Sequence, residues 1–317
     1  MIPPNVLRTS ETPGEQLGPS EPHLADIFTT EVWRLRGLER VGAHLERLQP
    51  GRRSSPLHHH LLLEEHLLVL DGVLTVRERL PDGSERAFEL HPGELVAWTA
   101  GTGIGHAIQN RGTQPATILV VSDEPQGDLV VYPDSGKLWA QGLGMVVLEP
   151  RPERPPTPVP WPDPGPAPPH VATVAGVPER SLGTTFGRPL ARAVGARQVF
   201  INVDRLPPGT TSSPLHRHTR NEELVYVRRG SPTLRQVAEG VETRSTLQPG
   251  DVVLWRPDDG LAHQLLNETD EDVVLVVVGD DQPDDAIRLP DRGPDALHVP
   301  ALARTGTMRK ATYWEGE

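Results

Sequence analysis

Apolar and polar positions alternate over short distances along this chain. Val73-Leu74-Thr75-Val76-Arg77 and Thr117-Ile118-Leu119-Val120-Val121 are brief β-branched runs bounded by turn residues. Glu94-Leu95-Val96-Ala97-Trp98 and Asp251-Val252-Val253-Leu254-Trp255 each follow a Pro-Gly turn. Many short runs of this kind predict strands of an antiparallel sandwich or barrel, with helix only in minor pieces. The apolar stretch Val273 to Val278 is far too short to cross a bilayer.

The pattern is written twice. Shifting the chain by 158 residues places Arg47-Leu48-Gln49-Pro50-Gly51 on Arg205-Leu206-Pro207-Pro208-Gly209 and Ser54-Ser55-Pro56-Leu57-His58 on Ser212-Ser213-Pro214-Leu215-His216. One residue is lost at the turn Pro81-Asp82-Gly83-Ser84, and the register resumes at 157 with Pro92-Gly93 on Pro249-Gly250 and Trp98 on Trp255. A repeat this long means two copies of one domain. Eleven prolines between Pro150 and Pro169 rule out a helix or an interior strand there and predict an extended, semi-rigid connector. The expected organisation is a flexible N-terminal arm over 1–25, a first domain over 26–149, the Pro-rich linker over 150–170 and a second domain over 171–317.

Composition narrows the chemistry. The formal charge of -12 argues against nucleic acid and anionic membranes as partners. With no cysteine, disulfides, thiolate metal sites and thiol nucleophiles are excluded, and any metal must be held by nitrogen and oxygen. The N-terminus lacks the basic start and apolar run of a signal peptide, so a cytoplasmic location is expected.

His58, His60, Glu65 and His106 reappear in register as His216, His218, Glu223 and His263. Residues two apart on a strand share a face, so His58 with His60, and His216 with His218, point the same way. Glu65 and Glu223 open the next apolar run, and a closed barrel would bring His106 and His263 onto the same inner wall. Three imidazoles and a carboxylate suit a divalent first-row transition metal and leave one or two coordination positions open. Glu64 and Glu222 compete for the carboxylate position. Alternation turns His59 and His66 away from the ligand face.

The arrangement resembles the cupin superfamily. Its first motif reads Gly51, His58-His59-His60, Glu65, Gly72 and again Gly209, His216-Arg217-His218, Glu223, Gly230. Its second reads Pro92-Gly93-Glu94, His106, Asn110 and again Pro249-Gly250-Asp251, His263, Asn267. The spacing to the closing glycine in that family selects Glu65 and Glu223 over their neighbours. The stretches before His58 and His106 are longer than in the simplest motifs, and Gly101-Thr102-Gly103-Ile104-Gly105 is expected to widen or gate the first pocket. Val131-Tyr132-Pro133-Asp134-Ser135-Gly136-Lys137 is similar to a segment of a group of prokaryotic cupins, which carries no assigned reaction.

The resemblance to a bicupin implies an all-β chain of two tandem double-stranded β-helix barrels of jelly-roll type, each holding Fe, Mn, Ni, Zn or Cu. It also implies a monomer with pseudo-two-fold domain pairing, or a homodimer. Asn110 and Asn267 are expected to make structural hydrogen bonds, Trp98 and Trp255 to pack in the core, and Arg77 and Arg217 to be solvated. The implied function is a metal-dependent, dioxygenase-like enzyme acting on a small organic acid or aromatic. The alternatives are a non-catalytic module binding metal and a small ligand, and a sugar or sugar-phosphate isomerase, which the lack of a basic cluster disfavours.

Overall fold

The computed structural model describes residues 3–19, 24, 27–140, 142–147, 160–181, 183–293, 296–302 and 304–307. Regular structure among the described residues is nearly all strand, and the chain divides into two compact units. One holds described residues of 11–178 and 189–200, the other those of 1–10, 179–188 and 201–317.

In the first unit a seven-stranded sheet runs in the order Val171–Thr173, Glu94–Trp98, Glu65–Asp71, Ala116–Asp123, Val41–Leu48, Thr30–Arg34 and Glu15–Leu17. A four-stranded sheet of Gly105–Gln109, Leu74–Arg79, Glu85–Leu90 and Pro164–Gly165 is the second. The residues that alternation directs inward meet in one core, including Leu48, Leu67, Val69, Val76, Phe88, Val96, Trp98, Ile108, Ile118 and Val120. Fully burying each such side chain stabilises the fold by roughly 1.5–3 kcal/mol. The second unit repeats this plan. Its seven-stranded sheet is ordered Val6–Arg8, Asp251–Trp255, Glu223–Arg229, Val273–Asp280, Val199–Leu206, Phe186–Pro189 and Arg180–Ser181, and a sheet of Val241–Thr246, Thr233–Ala238 and Ala262–Leu266 is the second. Leu206, Val225, Val227, Leu234, Val253, Trp255, Leu265 and Leu275 form its core.

The segments read as arm and connector take part in the sheets. Val6 of the arm pairs opposite Val253 in the second unit, while Val171, read as the start of the second domain, pairs opposite Val96 in the first. Pro164–Gly165 lies parallel to Ala87–Phe88 at a sheet edge, where proline's missing N–H costs no ladder bond. Residues 150–159 of the Pro-rich connector lie outside the described residues. Among those described, no helix is long and apolar enough to cross a membrane.

The glycines that close the first motif are fixed by sterics. Gly72 has φ +77°, and a Cβ there would lie 2.7 Å from Ala116 Cα; Gly230 has φ +81°, and its Cβ would lie 2.8 Å from Val273 Cγ2. Each holds the metal-side strand against the next strand of the sheet. Gly51, at φ +82°, has nothing within 4 Å. Gly72→Ala should therefore destabilise by roughly 2–4 kcal/mol, against about 1–2 kcal/mol for Gly51→Ala. Denaturant midpoints check this, and equal losses would show that the close approach carries no cost.

Candidate metal centres

Each centre is assembled from three stretches of backbone. His58 and His106 form an isolated antiparallel bridge, His58 N to His106 O at 3.1 Å and His106 N to His58 O at 2.8 Å. His216 and His263 do the same at 3.1 and 2.7 Å. His60 is held by the strand pairing of Val130 with it, and His218 by Ile287. Glu65 and Glu223 begin central strands of the large sheets, opposite Trp98 and Trp255.

The side chains converge on one carboxylate oxygen. Glu65 Oε2 lies 2.8 Å from His106 Nε2, 3.7 Å from His58 Nε2 and 3.7 Å from His60 Nε2. Glu223 Oε2 lies 2.9, 3.7 and 3.5 Å from the Nε2 atoms of His263, His216 and His218. Ligand atoms of His58, Glu65 and His106, and of His216, Glu223 and His263, fall within 4.8 Å of one another.

The opposite ring nitrogens show which way the lone pairs point. His58 Nδ1 faces Pro56 O at 2.9 Å, and His216 Nδ1 faces Pro214 O at 3.0 Å. His60 Nδ1 donates to Asp128 Oδ2 at 2.6 Å, and His218 Nδ1 to Asp285 Oδ2 at 2.7 Å. A proton on each Nδ1 leaves the Nε2 lone pair aimed at the glutamate oxygen. Burial, with His106 nearby, lowers His58 to about 4. His263 falls to about 4 for the same reasons, burial first and then His216. Burial works against ionisation of Glu65 and Glu223, yet the surrounding imidazoles hold both well below the usual carboxylate range. Without a metal the carboxylates share protons with the imidazoles. His106 and His263 Nε2 stand at hydrogen-bond distance from them, and against the effect of burial Asp285 and Glu223 raise His218 to about 10. A divalent ion would take the place of those protons. The donor set therefore fits a divalent metal.

His106 stacks on Trp98 with ring centroids 3.8 Å apart, and His263 on Trp255 at 3.8 Å. Both tryptophans thus belong to the core and also fix a site histidine. Asn110 Nδ2 donates to Leu48 O and Gln114 O at 2.9 and 2.8 Å, and Asn267 Nδ2 to Leu206 O and Glu271 O at 2.8 and 2.7 Å, so both asparagines fasten loops. Glu64 is engaged elsewhere, with His66 Nε2 at 3.0 Å and the backbone N–H groups of Arg197 and Gln198 at 3.2 Å. The tighter groups leave out His59, and likewise His60 and His218, whose Nε2 atoms approach only the glutamate oxygen, at 3.7 and 3.5 Å.

One expectation needs correction. Arg77 is not a solvated arginine: it is 1 % exposed and neutralised by Glu85 at 2.6 Å and Asp134 at 2.6 Å. The second unit repeats the pairing as Arg235 with Asp291 at 2.7 Å, which gives the Pro-Asp segment after each barrel its task.

Other residues of the site were not read from the sequence. Asp128 and Asp285 orient a histidine each, and their recurrence at the 157-residue register was a signal. On the strand Val41–Leu48, His44 and Glu46 face inward, opposite Val120 and Ile118. Ser54 Oγ donates to Glu46 Oε2 at 2.8 Å, and His44 Nε2 lies 3.9 Å from the same oxygen. The same register of the second copy holds Asn202 and Asp204. Burial, with the Glu223 charge nearby, pushes Asp204 up to about 7. A cavity of about 630 Å³ in the first unit reaches His60 and Glu65 past His44.

Comparison with known proteins follows the same boundaries. The family model described as "Cupin domain" matches residues 44–122 and again 202–279. Comparison of the sequence with the curated proteins finds no match. Among solved structures, the oxalate decarboxylase formate complex of Lactobacillus farciminis superposes with a TM-score of 0.58 at 17% identity, covering 89% of this chain and 87% of that one. Oxalate decarboxylase of Bacillus subtilis at pH 4.6 gives a TM-score of 0.56 at 17% identity, over 89% of this chain and 77% of that one. At such identities the likeness is one of fold.

Two tests follow from this geometry. Asp128→Ala should weaken metal binding at the first centre about 10- to 100-fold and leave the second unchanged, with Asp285→Ala doing the converse; chelator-competition titrations would show it, and equal loss at both centres would contradict it. For Asp204, the folded pKa of about 7 exceeds the ordinary value of about 3.9. The folded chain thus keeps a proton that the unfolded chain releases, and stability falls as pH rises from about 4 to 7. In metal-free protein, Asp204→Asn should raise stability by roughly 2–4 kcal/mol at pH 8 and by little at pH 4.5. A gain independent of pH, read from unfolding midpoints, would refute the assignment.

Proposed function

The chain belongs to the cupin superfamily as a bicupin, and from that membership we propose that it is a metal-dependent enzyme acting on a small organic acid or aromatic, with oxygenase-type chemistry. The observation that carries this reading is the convergence of three imidazole Nε2 atoms on one buried carboxylate oxygen, in both units. His58, His60, Glu65 and His106 would hold one ion, and His216, His218, Glu223 and His263 the other. Such an ion supplies Lewis acidity or electron transfer to a ligand oxygen at its open positions.

The chain's own residues set the conditions for that chemistry. Asp128 and Asp285 keep His60 and His218 protonated on Nδ1 and fix their rings. Trp98 and Trp255 shield His106 and His263 from water on one face. The pocket in the first unit gives a small molecule access to one side of the centre.

The structural likeness to oxalate decarboxylases makes carbon–carbon cleavage of a small acid the second reading. Mn(II) centres are named for the Bacillus subtilis protein, which makes manganese an ion to test here beside iron, nickel, copper and zinc. Incubation with phenolic and aliphatic acids separates the readings. Oxygen uptake supports oxygenation, CO2 release without net oxygen uptake supports decarboxylation, and tight zinc without product supports a binding module.

The metal assignment has its own prediction. Purified protein should carry two equivalents of metal per chain, and His58→Ala and His216→Ala one each. Elemental analysis decides, and two equivalents retained in both variants would refute the ligand sets.

A further inference from the structure

The side chains behind the two site tryptophans differ. In the first unit Trp98 lies opposite Glu65 on the large sheet, and Glu78 lies opposite His106 on the small one. The indole of Trp98 stacks on His106 at 3.8 Å, and its Nε1 donates to Glu78 Oε1 at 2.7 Å, which ties the two sheets together beside the centre. His170 Nε2 meets the same oxygen at 2.7 Å, and Arg86 Nε donates to Oε2 at 2.7 Å. Glu78 is wholly buried. Burial works against its charge, yet the hydrogen bonds from His170, Trp98 and Arg86 hold the carboxyl below its ordinary range.

The second unit repeats the geometry with uncharged groups. Trp255 lies opposite Glu223 and stacks on His263 at 3.8 Å, and Gln236 lies opposite His263. Arg86, opposite Glu78, is matched by Thr243, opposite Gln236. His170, whose carbonyl accepts from Ala97 N, is matched by Asn5, whose carbonyl accepts from Leu254 N. Three positions thus change together: a carboxylate, an arginine and a histidine become three neutral side chains. Trp255 Nε1, Gln236 Nε2 and Asn5 Oδ1 are buried without a hydrogen-bond partner among the described residues. Turning the Gln236 amide over would offer the indole an uncharged oxygen at most.

The difference reaches a metal ligand through the stacked rings. A hydrogen bond to a carboxylate is about twice as strong as one to a neutral acceptor, so it fixes the plane of the indole and makes the ring richer in electrons. Glu78 turns Oε1 to the indole and Oε2 to Arg86, so the negative end of the ion pair faces the ring. An electron-rich aromatic face attracts an imidazole whose Nε2 gives charge to a cation. Resting on the metal reading of the site, we infer that Glu78 is a positioning residue which, through Trp98, makes the first centre hold its ion more tightly than the second and lowers the reduction potential of a redox-active ion there. His170 brings the end of the Pro-rich connector into the same task.

The test uses the full chain, with manganese(II) as the probe of affinity and iron as the probe of potential. His216→Ala and His58→Ala backgrounds, each keeping one centre, report the first and the second separately. Chelator competition should find manganese tighter at the first centre. Glu78→Gln should weaken it there about tenfold and raise the iron potential, with both readings at the second centre unchanged. Trp98→Phe keeps a ring against His106 but cannot donate to Glu78, and it should reproduce both effects, whereas Trp255→Phe should change the second centre little. That pair decides if Glu78→Gln fails to fold. Equal affinity at the two centres, or weakened manganese with an unmoved potential, as a merely structural brace would give, would overturn the inference and leave the metal reading intact. Wild-type protein that takes up neither ion would instead overturn that reading.

Discussion

Everything around these centres depends on one electrostatic problem. Three imidazole Nε2 atoms are brought within 3.7 Å of one carboxylate oxygen inside each barrel. Without a metal the group gives up hydration and is held only by protons shared between imidazole and carboxylate. A divalent ion would satisfy the same crowded donors at once. Much of the surrounding structure exists to make the crowding rigid. The His58–His106 and His216–His263 backbone bridges fix two ligands at once, and the closing glycines Gly72 and Gly230 let adjacent strands approach.

The brace behind each ligand matters as much as the ligand. Asp128 and Asp285 fix the tautomer of one histidine each, backbone carbonyls fix another, and stacked tryptophans fix the third. The paired ions Arg77–Asp134 and Arg235–Asp291 tie the segment after each barrel back to a strand of the smaller sheet. Duplication has kept these devices in both units. What has diverged is the strand that carries His44 in one copy and Asn202 in the other, and the side chains behind the two tryptophans.

The β class, the repeat and the eight converging residues were all legible in the sequence, because strand alternation and a second copy made each signal redundant. Glu65 was distinguishable from Glu64 by its spacing to Gly72, and the structure gives Glu64 a separate task with His66. Arg77 was misread because a lone arginine on a strand gives no hint of its partners; Asp134 is 57 residues away and meets it only through folding. His44 and Glu46 escaped notice for a related reason. Their inward direction follows from the pairing with Ala116–Asp123; the second copy has Asn202 in place of His44, and the carboxylate pair Glu46 and Asp204 was a signal left unread.

The central claim is that each unit holds a metal on three imidazoles and one carboxylate. Anomalous diffraction at the absorption edge of the bound metal tests it most directly. Two peaks are expected per chain, each about 2.0–2.2 Å from three histidine Nε2 atoms and one glutamate oxygen, at His58, His60, Glu65 and His106 in one unit and His216, His218, Glu223 and His263 in the other. Peaks elsewhere, or both quartets free of metal in crystals soaked with manganese and iron, would contradict it.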